Sequence, residues 1–219
     1  RSRGLGDVYK RQAICPGDQE LAAARELLSH GRGLPLLCGN IIVRDPAPLK
    51  SLLGRHALLR RGKLSIGLIG SIDPSAFKFY PRRVSAGFGF ADQVEEINRD
   101  AAALRGLGAD IVIVLSHSGY ENDLVMEKQL KGVDIIAGGH SQTLLKQPVR
   151  GKRAIIVQAG TDGAHIGILE LTVKNGAVES YRNTFRRPDE HRPADDPFIR
   201  TLIERYRKNV KAGFKDLRF

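Results

Sequence analysis

Tryptophan is absent from the 219 residues, aromatic side chains of all kinds make up 6% of them, and there are only two cysteines. With so few aromatics there is no aromatic-rich stacking surface of the kind that holds single-stranded nucleic acids. No stretch approaches the roughly 18 consecutive apolar residues of a membrane-spanning helix, and the first residues carry no apolar core of signal-peptide type. There is no internal repeat, no low-complexity tract, and no Cys-x-x-Cys-His haem signature. Cys15 and Cys38 each close an expected short strand, in Ala13-Ile-Cys15 and Leu34-Pro-Leu-Leu-Cys38. Should those strands be neighbours, a disulfide or a shared soft metal ligand is open to the pair; two buried free thiols are the expectation.

Positive charge is what the chain has in excess, with a formal net charge of +11. Its distribution argues against direct DNA or RNA binding, which needs basic side chains clustered on one surface. Residues 1–12 contribute +3 and residues 181–219 contribute +5, which leaves +3 for everything between. The opening twelve residues, Arg1 to Gln12, show neither helical nor strand periodicity and read as a non-native leader. Residues 13–187 then form one domain, and residues 188–219 a Pro- and Asp-rich linker followed by an amphipathic helix. That helix starts at Asp196-Pro197, and its apolar face (Ile199, Leu202, Ile203, Tyr206, Val210) is expected to pack on its own domain.

Within residues 13–187 the pattern alternates strands and helices. A helix is expected over Gln19 to His30, and a hairpin over His56–Arg60 and Lys63–Ile69. A helix capped by Asp92 carries the stripe Val94, Ile97, Ala101 and Leu104. Apolar runs at Ile111–Leu115, Val133–Ala137, Ala154–Ala159 and His165–Val173 read as strands, with a short helix over Asp123–Leu130. Asn175-Gly176 marks a tight hairpin into Val178–Phe185. βα units followed by a closing hairpin predict a layered α/β sandwich.

Two of these runs end in histidine: Ile111-Val-Ile-Val-Leu-Ser-His117 and Val133-Asp-Ile-Ile-Ala-Gly-Gly-His140. Rings at the carboxyl ends of two strands reach the same sheet edge, where open α/β sheets bind their ligands. Neutral imidazole is a frequent metal donor, and the small residues around both rings leave room for an ion or substrate.

The segments Leu115-Ser-His-Ser-Gly119, Gly132-Val-Asp-Ile-Ile-Ala-Gly-Gly-His-Ser-Gln-Thr143 and Ile156-Val-Gln-Ala-Gly-Thr-Asp-Gly-Ala-His-Ile-Gly167 resemble the catalytic domain of the 5′-nucleotidase family of calcineurin-like metallophosphoesterases. The likeness continues upstream through Pro35-Leu-Leu-Cys-Gly-Asn-Ile41, Gly62 to Gly70 and Gly87 to Asp92. It implies a metallophosphoesterase-like β-sandwich flanked by helices and missing its first strands, in a secreted or periplasmic protein. A divalent ion (Zn, Mn, Fe or Mg) is the implied cofactor and a phosphorylated small molecule such as a nucleotide the implied partner; a link to a further C-terminal domain is also implied. Family members use two metals to orient a phosphate ester and activate water.

The resemblance places His117 and His140 at ligand positions of one metal, Asp18 where a ligand Asn belongs, and Gln142 where a last His belongs. Gln142 is a fourth, weaker candidate, through its carbonyl oxygen. Gln19 occupies the position of the leaving-group acid and Ala22 that of its Asp partner, so no catalytic residue is assigned there. Asn40 is expected to face the same edge and line a substrate pocket. A phosphoester hydrolase with an altered acid dyad, weak or inactive in this chain, is the leading expectation. The alternative is a non-catalytic metal- or ligand-binding domain on the same fold.

Overall fold

The computed structural model describes residues 12–31, 33–188 and 197–215; all of the 1–12 leader but Gln12, and most of the linker, with Asp196, lie outside the described residues. Its centre is a six-stranded sheet built from β2 (His56–Arg61), β3 (Leu64–Ile72), β5 (Ile111–His117), β6 (Ile135–Gly138), β7 (Val149–Arg150) and β8 (Ile155–Val157). The spatial order is β2-β3-β5-β6-β8-β7, with β3, β5, β6 and β8 parallel and the two edge strands antiparallel. The parallel strands are continuous Ile/Val/Leu runs, with Val112, Val114, Ile136 and Ile156 fully buried on one face and Ile113, Leu115 and Val157 half-buried on the other.

One face is closed by α4 (Gln93–Gly106), where Asp92 caps the first turn by accepting the Glu95 amide at 2.8 Å. Ile97, Ala101 and Leu104 from this helix pack with Ile69, Val112, Val114 and Ile136 of the strands. Helix α5 (Tyr120–Glu127) follows β5 and adds Met126 to the same cluster. A second cluster, with Leu21, Cys38, Leu49, Ile72, Phe77 and Phe88, lies beside the carboxyl end of β3. It is enclosed by α1 (Asp18–Ala22), α2 (Ala24–His30) and the small antiparallel pair of β1 (Ile41–Val43) with β4 (Phe88–Phe90), while α3 (Arg82–Ser85) has no buried residue.

The two clusters are bridged by Arg55, whose guanidinium donates to Gly39 O at 2.7 Å, to Glu96 at 2.5 Å and to Asp100 at 3.1 Å. Both acids are buried, and the fork of donors satisfies them together.

The expected Gln19–His30 helix is two helices, broken at Ala23, which leaves helical geometry (φ −96°, ψ 41°). Packing of Leu21 and Ala24 into the second cluster overrides the high propensity of the alanine run. The helix expected from Asp123 begins at Tyr120, three residues earlier. Residues 13–15 and 34–38 are not full strands; they meet through the single parallel bridge Ile14–Leu36. This makes Cys15 and Cys38 neighbours as free thiols, and the Cys38 thiol, hydrogen-bonded to Cys15 and buried, is pushed well up.

The hairpin of β9 (Ile166–Lys174) and β10 (Ala177–Arg186) turns at Asn175-Gly176, both in the left-handed region as such a turn requires. Helix α6 (Pro197–Lys215) corrects an expectation: Phe198, Leu202, Ile203 and Tyr206 are all exposed instead of packed on the domain. The buried clusters of the domain are already filled by other elements. Among the described residues no helix is long and apolar enough to cross a membrane.

Candidate metal centre

His117 is the last residue of β5, paired in register with Ile72 at the end of β3. His140 stands two residues past β6, the parallel neighbour of β5. It adopts a left-handed conformation (φ 71°), an uncommon state for a residue with a side chain. That turn brings its ring edge-on to His117, with centroids 5.0 Å apart.

The third member comes from 99 residues earlier. Asp18 opens α1, directly after Gly17, whose amide is held by Glu20 Oε2 at 2.9 Å. A Cβ on Gly17 would lie 2.5 Å from Cε1 of His117, so only glycine lets the ring come this close.

Asp18 Oδ1 lies 2.7 Å from His117 Nε2 and 3.4 Å from His140 Nδ1, and the two nitrogens are 3.2 Å apart. Donors around one ion with bonds of about 2.0–2.2 Å stand roughly 3.0–3.5 Å from one another at tetrahedral to octahedral angles. Two sides of the observed triangle, 3.4 and 3.2 Å, have that size, the third, at 2.7 Å, is of hydrogen-bond length and would have to open slightly around an ion, and a carboxylate with two imidazoles suits a borderline divalent ion. The residues therefore fit the implied metal, as the one such cluster found among the described residues.

Burial raises the Asp18 pKa, but hydrogen bonds from Tyr80 and His117 outweigh it, and the carboxyl ends below its usual value. Tyr80, 62 residues away in sequence, donates its hydroxyl to Asp18 Oδ2 at 2.7 Å. The carboxylate acceptor, with burial and the charge of Glu20, pushes the phenol up to about 12, so it stays a donor. Arg82 and Arg83 are exposed, whereas Tyr80 is half-buried and engaged.

Gln142 and Gln19, with Glu20, line the cavity of about 300 Å³ onto which Asp18, His117 and His140 open. Ala22 is exposed on α1 and offers no polar atom. Asn40 departs from expectation. It is 1% exposed, takes Ile72 N at 3.1 Å on Oδ1, and gives Nδ2 to Ile72 O at 2.8 Å. Its amide is spent on holding the end of β3, and it does not line the cavity.

Beneath the site, Ser116 donates to Asp123 Oδ1 at 2.6 Å, and Gln93 Nε2 donates to Ser118 Oγ at 2.6 Å. Asp123 is fully buried and its Oδ2 has no partner. Burial lifts its pKa to about 7, against the lowering effect of the Ser116 bond.

The chain is similar to the apyrase of Aedes albopictus, 28% identical over 203 residues that cover 82% of this chain and 36% of that protein. The 5′-nucleotidase of Bos taurus is 26% identical over 196 residues, 79% of this chain and 33% of its own length. Among solved structures, the 5′-nucleotidase precursor of Thermus thermophilus superposes with a TM-score of 0.80 at 26% identity, covering 96% of this chain and 46% of that one. No protein-family model matches. Motif order, fold and these similarities agree: the chain is similar to the 5′-nucleotidase-like family of calcineurin-like metallophosphoesterases. The family's cofactor is a divalent metal ion. The chain spans about a third of the length of the curated relatives it matches.

Proposed function

We propose that this chain is part of a metal-dependent phosphoester hydrolase of 5′-nucleotidase type, with Asp18, His117 and His140 as the ligands of one divalent ion and Gln142 beside them. The observation that carries it is the triangle of donors across two parallel strand ends and a helix start. Names of the relatives support a nucleotide or similar phosphate monoester as substrate, and the snake venom 5′-nucleotidases among them support a secreted or periplasmic setting. Residues 13–187 are the hydrolase part, and residues 188–219, with the exposed face of α6, are the connection to a further C-terminal domain.

A bound divalent ion would polarise a phosphoryl oxygen and lower the pKa of attacking water. The chain's own groups do the rest. Asp18, ionised across the neutral range, supplies the negative charge of the donor set. His117 and His140 give ring nitrogens, Nε2 and Nδ1 respectively. Gln19, exposed at the cavity wall, can hold a leaving oxygen by its amide but has no titratable proton to give. Turnover is therefore slow at the bond-breaking step.

The test is phosphate release from a nucleoside monophosphate with added Zn²⁺ or Mn²⁺. Slow release is expected, abolished by chelation and by His117→Ala, and raised on the order of 10²-fold by Gln19→His. Absence of release in the chain and in the Gln19→His variant, with no binding of inorganic phosphate to the metal-loaded protein, would overturn the reading.

A further inference from the structure

We infer that Tyr80 is a positioning residue for the metal centre, which ties one oxygen of Asp18 so that the carboxylate meets an ion through the other oxygen alone, and so favours a small borderline ion over calcium. This rests on the metal-centre reading above. The two oxygens of Asp18 have separate surroundings. Oδ1 faces both imidazoles, whereas Oδ2 is occupied by the Tyr80 hydroxyl at 2.7 Å.

The phenol is held in place by packing. Its ring lies 5.6 Å from that of Phe77, itself 5% exposed, and its amide donates to Phe77 O at 2.9 Å. Leu21, one turn along the helix that begins with Asp18, is buried in the same cluster as Phe77. Donor and acceptor are thus both anchored in one apolar cluster, and the hydrogen bond between them fixes the carboxylate torsion before any ion arrives.

The consequence follows from ligand chemistry. Calcium takes six to eight oxygens and is served by carboxylates that bind through both. Zinc is satisfied by four donors, here two nitrogens and one oxygen from the protein. A hydrogen bond to the outer oxygen of a ligating carboxylate orients it, and removing such support typically costs about 10- to 100-fold in metal affinity. Loss of the hydroxyl should weaken zinc by that factor while leaving calcium equal or improved, because Oδ2 becomes available.

The experiment is Zn²⁺ and Ca²⁺ titration of the chain and of the Tyr80→Phe variant, which keeps the ring and its packing, with circular dichroism melting of both to confirm a common fold. Expected are a zinc affinity about 10- to 100-fold lower in Tyr80→Phe and a zinc-to-calcium preference narrowed by at least the same factor. In an Asp18→Ala background the Tyr80→Phe change should add nothing, since its effect passes through that carboxylate. An unchanged zinc affinity and preference in Tyr80→Phe, with zinc binding abolished by His117→Ala, overturns the role of Tyr80 and leaves the metal centre standing. An equal loss from Tyr80→Phe with and without Asp18 also overturns it. Zinc binding indifferent to His117→Ala and His140→Ala removes the metal centre and this inference together.

Discussion

Replacing Asp123 by asparagine should stabilise the protein at neutral pH and do little in acid. The carboxyl is fully buried, Ser116 bonds one oxygen at 2.6 Å, and the other oxygen is unpartnered. Burial lifts its pKa from 3.8 to about 7. Below about pH 4 both folded and unfolded chains carry the proton, and the group contributes nothing to the pH dependence. Between about 4 and 7 the unfolded chain loses the proton while the folded chain keeps it, so stability falls as pH rises, by about 1.4 kcal/mol per unit. Above about 7 the loss is complete, at roughly 4 kcal/mol. Asparagine has the same shape, keeps an acceptor for Ser116, and never ionises. Its buried Nδ2 replaces a protonated oxygen that was equally unpaired, so the two proteins should be within about 1 kcal/mol at about pH 4. At about pH 8 the variant should lead by about 4 kcal/mol, on the order of 10 °C in Tm for a chain of this size. Urea unfolding followed by circular dichroism at unit steps from about pH 4 to 8 gives the difference curve, in which the contributions of other carboxylates cancel. Parallel profiles for the two proteins would show that Asp123 is ionised in the fold and the reasoning wrong.

Arg55→Ala strands Glu96 and Asp100, buried at 7% and 3% exposure, and should cost about 2–3 kcal/mol in denaturant unfolding. This lies under the figure for a fully buried pair because the guanidinium is 43% exposed, and no loss would mean that Arg99 and His56 suffice for the two acids. Gly17→Ala places a methyl 2.5 Å from the His117 ring and should weaken zinc binding at least ~10-fold with a modest fall in Tm; unchanged affinity by titration would contradict the close approach. Gln142→His adds a nitrogen donor at the cavity and should strengthen binding of a second, weaker ion. Elemental analysis that finds two equivalent ions before the change and no gain after it would remove position 142 from the site.

The strands were legible because they are short, nearly unbroken apolar runs: Ile111–Leu115 and Val133–Ala137 can be little else, and their ends place His117 and His140 together. Strands β1, β4 and β7 were not, since two or three residues carry no periodicity and are set by long-range pairing such as Ile41 with Phe90. The break at Ala23 was hidden by alanines that favour helix everywhere. Asn40 was placed at the correct sheet end and given the wrong task, because pattern locates a side chain but does not say which backbone groups will claim it. Tyr80 had no local signal at all. Its partner lies 62 residues upstream, and only the packing of Phe77 and Leu21 joins them.

The donors and the scaffold are written in different residues. His140 and Asp18 sit past a strand end and at a helix start, and His117 is the last residue of its strand, whereas the buried apolar clusters draw on the interiors. A donor can therefore be exchanged without removing a methyl group from the core, which makes this rim a set of interchangeable sockets on a fixed board. Asp18 is the socket with a wire attached: through α1 and Leu21 it is mechanically tied to the second cluster. Retuning the ion by changing His117 or His140 should leave folding untouched, while any redesign at position 18 has to be made together with Gly17 and Tyr80.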